Sequence, residues 1–150
     1  MQINFKLADN NDLDTLLQFI QKLYEVDGSI AFNAVVARQA LIPLLSDESI
    51  GRIWLIQNQN YSIGYVILTF SYSLEYGGKD AFIDEFYIDT VYQRQGIGKQ
   101  TIKFLEEVCI SFNVQALHLE VEKENTSAQS FYHQVGFVDH DRYLMTKHIN

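Results

Sequence analysis

Between Gln93 and Lys99 the chain reads Gln-Arg-Gln-Gly-Ile-Gly-Lys, directly ahead of an apolar face with helical spacing at Ile102, Leu105, Val108 and Cys109. At such a junction the first amides of the helix point outward without intrahelical partners, at the positive end of the helix dipole, and glycines let an anion come close. The chemistry this suggests is the cradling of a phosphate. A dinucleotide fingerprint would need glycine or alanine at position 101, where Thr101 stands, and it normally follows the first strand of its unit. A P-loop would need Ser or Thr after Gly98-Lys99, but Gln100 is there, and Gln93 occupies the place of the leading glycine. Nine and eight residues before Gln93, Asp84 and Glu85 interrupt an apolar run, and two carboxylates inside a strand call for an explanation.

The elements that must hold these residues follow from periodicity. Ile3, Phe5 and Leu7 alternate as a strand does, and Asn10-Asn11-Asp12 offers caps for a helix through Leu13, Leu16, Leu17, Ile20 and Leu23. A second helix is predicted over Ala34 to Leu45, with Pro43 marking a kink or an end. Arg52 to Gln57 and Tyr61 to Tyr72 read as strands joined at Asn58-Gln59-Asn60, Gly77-Gly78 as a turn, and Ala81 to Ile88 as the next strand. After the glycine loop and its helix, Leu117, Leu119 and Val121 alternate with His118, Glu120 and Glu122. Asn125-Thr126-Ser127 caps a short helix that Gly136 ends, and Phe137 to His140 and Arg142 to His148 read as closing strands. The expected fold is α/β (α+β), one domain over residues 1–150, with a mixed, mostly antiparallel sheet of about seven strands and helices on both faces.

Gln93, Gly96 and Gly98 also fill the pattern Q/R-x-x-G-x-G/A, and here the sequence resembles the GNAT superfamily of acetyl-CoA-dependent N-acetyltransferases. Ile83-Asp84-Glu85-Phe86-Tyr87-Ile88 looks like that family's fourth strand. Asn125-x-x-Ala128-x-x-Phe131-Tyr132-x-x-x-Gly136-Phe137 is similar to its second cofactor motif. The separations between the three motifs and the order of elements agree over the whole chain. Gln93 and Thr90 stand where Arg and Pro are more usual.

The resemblance implies that the pantetheine arm of acetyl-CoA pairs with the backbone of Phe86, Tyr87 and Ile88. It implies that the pyrophosphate sits on the amides of Arg94, Gln95, Gly96, Ile97, Gly98 and Lys99, with Arg94 and Lys99 adding charge. Asn125, Ala128 and Phe131 would complete the cofactor site, although Asn125 reads equally as a helix cap. An amine of pKa near 10.4 costs about 4.6 kcal/mol to deprotonate at pH 7, so a base is useful. The family position for it falls on Asp84, with Glu85 beside it and expected on the opposite strand face. Tyr132 matches the tyrosine that protonates the departing thiolate, and a phenol can donate that proton. Tyr24 and Glu25, within Tyr24 to Gly28 at the join of the first two helices, and Tyr72 and Tyr76, flanking Glu75, are candidates for two walls of an acceptor site. Acidic and aromatic residues together suit a cationic amine.

Composition narrows the rest. The 150 residues are 47% hydrophobic and 13% aromatic, enough for a packed core, and carry a formal charge of -8. Residues 1–75 hold four basic against eight acidic side chains and residues 76–150 seven against eleven, so no basic arm invites nucleic acid. The longest apolar runs fall far below the roughly 20 residues of a membrane span, and the first residues carry no signal-like pattern, which makes the cytoplasm the expected location. Cys109 is the single cysteine, read as a buried structural thiol, and the four histidines have no ligand spacing, so no metal is expected. The expected activity is direct acetyl transfer from acetyl-CoA to an amine, on a small cation or on a protein. A non-catalytic acyl-CoA-binding sensor or interaction module is the alternative. Homodimerisation is common in such folds, but no segment identifies an interface.

Overall fold

The computed structural model describes residues 1–28 and 30–150, which fall into two compact units, Met1–Glu120 and Val121–Asn150. In the first, β1 (Ile3–Leu7) leads through a 3-10 turn (Asn10–Asp12) into α1 (Leu13–Asp27) and α2 (Ala34–Ser46). Then come β2 (Gly51–Asn58), β3 (Tyr61–Ser73), β4 (Gly78–Ile88), a second 3-10 turn (Thr90–Tyr92), α3 (Ile97–Ser111) and β5 (Ala116–Leu119).

Local chemistry sets the helix ends. The Asp9 carboxylate accepts from the Asn11 N–H, and the Asp12 side chain accepts from the Asp9 N–H, a reciprocal cap on the 3-10 turn that leads into α1. The Lys6 ammonium, 2.9 Å away, neutralises the buried Asp12. Gly28 ends α1 in the left-handed conformation. Asn33 caps α2 by accepting from the amides of Val35 and Val36, and α2 stops three residues after Pro43.

The five strands lie in sequence order, every neighbouring pair antiparallel except β4 and β5, which are parallel. A parallel pair needs a crossover, and α3 supplies it. One face of the sheet, with Ile53, Leu55, Tyr65, Ile67 and Tyr87, packs on Leu13, Leu16, Phe19 and Ile20 of α1 and Leu41 of α2. The other, with Ile56 and Ile63, packs on Ile97 of α3. There the Phe104 ring stacks on Phe5 at 4.3 Å and meets Trp54 edge-on.

The second unit holds α4 (Thr126–Gln134). Its cap is Asn125, whose Oδ1 accepts from the Ala128 N–H at 3.1 Å, and the Gln129 amide donates to the Glu122 and Lys123 carbonyls. The expected sheet of about seven strands is corrected here: five strands form, and the segments 137–140 and 142–148 are not strands. Alternation is not enough without a ladder partner. The run Asp139-His140-Asp141-Arg142 also splits the pattern with residues poor in β-propensity, and Asp139 is engaged by His133 at 2.6 Å. β5 stops at Leu119 rather than reaching Val121.

Gly64 faces Ile88 across the β3–β4 ladder, and a Cβ built at Gly64 would run into the Tyr87 carbonyl oxygen. Gly64→Ala should therefore lower unfolding stability by about 1–3 kcal/mol, read from the urea midpoint at unchanged m-value.

Candidate active site

The β3–β4 ladder slips by one residue at its middle. Ile67 faces Glu85 while the next residue, Leu68, faces Ile83, so Asp84 is an extra residue with no counterpart on β3. The slip ends the strict alternation of side chains. Glu85 turns toward α1, where its two oxygens accept from the Tyr24 hydroxyl at 2.7 Å and the Tyr65 hydroxyl at 2.8 Å. Asp84 lines a cleft with Thr69, which shares its β3 face with Tyr65 and Ile67, so the expectation that the two carboxylates lie on opposite faces does not hold.

The electrostatics separate the pair. Burial pushes the Asp84 carboxyl above its ordinary range. Glu85 is also raised, first by burial and then by the charge of Asp84, with the two phenol hydrogen bonds pulling the other way. Tyr24 and Tyr65 are held strongly protonated, chiefly by burial and then by Glu85. Glu85 is therefore a fixed, doubly hydrogen-bonded group, whereas Asp84 faces open space.

That open space is a cleft of about 290 Å³ lined by Thr69, Phe82, Ile83, Asp84 and Glu120. It opens where β5 leaves β4, since the last paired residues are Ile83 and Leu119. The Phe82 ring rests on His118 at 4.9 Å, and His118 Nε2 lies 3.1 Å from Asp80 Oδ2. Asp80, buried, also accepts from the Ser71 hydroxyl at 2.7 Å. Beyond the cleft, Asp84 to Ile88 have no strand partner on the β5 side among the described residues. This free edge includes Phe86, Tyr87 and Ile88. The Tyr87 side chain is buried under α1, so its backbone is what the edge offers.

β4 leads through Thr90–Tyr92 to the glycine loop. Arg94 and Gly96 adopt positive φ, 61° and 83°, and the first helical bond of α3 runs from the Gln100 N–H to the Gly96 carbonyl. The amides of Ile97, Gly98 and Lys99 thus precede the helical ladder, the arrangement an anion needs. Side chains hold the loop in place: Gln93 donates to the Ile88 carbonyl at 2.8 Å and Gln95 to the Val91 carbonyl at 3.1 Å, while Ile97 is fully buried. Gln93 and Gln95 act on the protein backbone here. In the second unit, Tyr132 lies in α4 between the rings of Phe131 and Phe137, and burial raises its phenol.

The candidate acceptor residues divide. Tyr24 meets β4 through Glu85, and Glu25, exposed near it, accepts from Gln21. Tyr72 is 76% exposed and lies seven residues beyond Tyr65 along β3, ~23 Å of strand. Tyr76 packs its ring on His118 at 4.7 Å. Tyr24, which shares Glu85 with Tyr65, and Tyr72 thus stand at different places along β3. Sequence reading missed Tyr65, Phe82 and Glu120. Glu120 read as one polar position in an alternating strand, and nothing in that alternation marks it, because the end of β5 pairing at Leu119 is not visible in the sequence. Cys109 is buried, with its thiol pushed up to about 11 by burial and then by Glu106. Among the described residues no three His, Cys, Asp or Glu side chains group as metal ligands, and no helix is long and apolar enough to cross a membrane.

The model of the acetyltransferase (GNAT) family matches residues 15–137. Thialysine N-epsilon-acetyltransferase of Bos taurus is 32% identical over 77 residues, 51% of this chain and 45% of that protein, so the match spans about half the length of this relative. The fold is that of a possible acetyltransferase from Clostridium difficile 630, with a TM-score of 0.88, 23% identity and coverage of 100% and 99% of the two chains. It is also that of aminoglycoside N-acetyltransferase AAC(6')-Iy in complex with CoA, with a TM-score of 0.83, 12% identity and coverage of 98% and 95%.

The raised Asp84 carboxyl has a consequence for stability. A carboxyl raised in the folded state favours folding while protonated, and that contribution is lost as pH rises through the raised value. Asp84→Asn should thus melt higher than wild type at pH 8, and the difference should vanish below about pH 4, as scanning calorimetry across pH would show.

Proposed function

We propose that this chain, which belongs to the acetyltransferase (GNAT) family, moves an acetyl group from acetyl-CoA directly to a primary amine within a single domain of residues 1–150. The observation that carries the reading is the cleft at the β4 slip, where Asp84 presents a carboxylate that makes no ion pair among the described residues and whose basicity is raised. The free edge of Phe86, Tyr87 and Ile88 supports pairing with the pantetheine arm, and the amides of Arg94 to Lys99 support binding of the pyrophosphate.

In this reading the acceptor enters as an ammonium and gives its proton to Asp84. The neutral nitrogen attacks the thioester carbonyl carbon, the C–S bond breaks, and the sulfur takes a proton from the Tyr132 hydroxyl, while the nitrogen sheds its second proton to solvent and solvent returns one to Tyr132, so that one proton is released per turnover once Asp84 discharges its own. A phenol raised by burial keeps its proton at neutral pH, which suits an acid. Glu85, tied to two tyrosines, holds the charge beside Asp84 rather than moving protons. Cys109, buried and with a raised pKa, is a poor nucleophile, which favours direct transfer over an acyl-enzyme. The acceptor is a small cationic amine or a protein amine.

Thiol release from acetyl-CoA across an amine panel tests the reaction. Asp84→Asn should lose rate at pH 7 and recover as pH approaches the acceptor's pKa. Tyr132→Phe should fall about 10 to 10³ fold without that recovery. If no amine gives thiol release while acetyl-CoA binds, a non-catalytic acyl-CoA sensor is the correct reading. Gly96→Val, at a positive φ of 83°, should weaken acetyl-CoA binding in calorimetry, and unchanged affinity in a folded variant would count against the cradle.

A further inference from the structure

The cleft holds a second carboxylate that direct transfer does not use. Asp84 comes from the slip in β4 and Glu120 follows the last residue of β5, so the two enter from different strands. Among the described residues neither makes an ion pair. Phe82 lines the same cleft, 36% exposed and backed by His118, which Asp80 anchors. An aromatic face and a carboxylate together suit an ammonium. The reacting nitrogen cannot be that ammonium, because it must be neutral when it attacks. A charge elsewhere on the same acceptor can be.

We propose that Glu120, with the Phe82 ring, binds a second positive charge on the acceptor, so that the cleft takes diamines and longer polyamines in preference to monoamines. The assignment rests on the reading of this cleft as the acceptor site. A volume of about 290 Å³ admits a short aliphatic diamine, and the width of the cleft sets which chain length fits best. Glu120 is here a specificity residue, since it holds the far end of the acceptor and leaves proton transfer to Asp84.

The test compares kcat/KM for 1,3-diaminopropane, 1,4-diaminobutane and n-butylamine. Wild type should favour the better diamine over butylamine by roughly tenfold or more, and Glu120→Gln should reduce that ratio by a similar factor, mainly through KM. Glu120→Lys should turn the preference toward 4-aminobutyrate, whose far end is a carboxylate. Calorimetry of acetyl-CoA on each variant reports whether it is folded. A ratio unchanged in folded Glu120→Gln, or a wild type that prefers butylamine, would overturn the assignment. A wild type inert toward every amine would instead overturn the transfer reaction on which it rests.

Discussion

One unmatched residue in β4 is the constraint on which the rest of the molecule depends. Before it, Ala81 and Ile83 face Phe70 and Leu68 on the α3 side of the sheet, and after it Phe86 and Ile88 pack on that same side. Apolar positions three apart rather than two or four cannot share a face of a regular strand. The extra residue restores the phase, so both halves of β4 stay buried. Its by-product is a pair of adjacent carboxylates on the side opposite α3, one taken up by tyrosines and the other left in a cleft.

The division of labour between those carboxylates follows from hydrogen-bond supply. Glu85 has a donor for each oxygen, one from the fully buried Tyr65 in the sheet and one from Tyr24 in the last turn of α1. That ties the end of α1 to the central strand and keeps a buried charge satisfied. Asp84 has no such supply. On the proposed reading, its raised carboxyl trades stability for a chemical capacity, as happens where a site needs a group the fold alone would not keep.

Much of this was legible from residue order. The helices over Leu13–Asp27, Ala34–Ser46 and Ile97–Ser111 and the hairpin of β2 and β3 follow the expected patterns, because amphipathic period and caps agree there. The glycine loop was legible because Gly96 takes a positive φ that few residues accept. The β4 slip was half visible: Asp84-Glu85 stood out as polar, but the odd spacing from Ile83 to Phe86 was not read as a change of phase. Tyr65 and Glu120 were missed because their partners lie 20 residues away on β4 or across a strand gap, and pattern within one strand carries no such information. The two closing strands failed for the same reason, since alternation names a candidate strand but not its partner.

The connectivity of the sheet also orders its assembly in time. β2, β3 and β4 are joined by tight turns and can zip by local closure, whereas β5 reaches its place only after residues 89–115 have formed the loop and α3. The cleft needs both β4 and the residue after β5, so it comes into existence with the last strand to dock. A partly folded chain with its hairpins complete would still lack it, so the cleft belongs to the completed sheet of residues 1–120 and to no single hairpin within it.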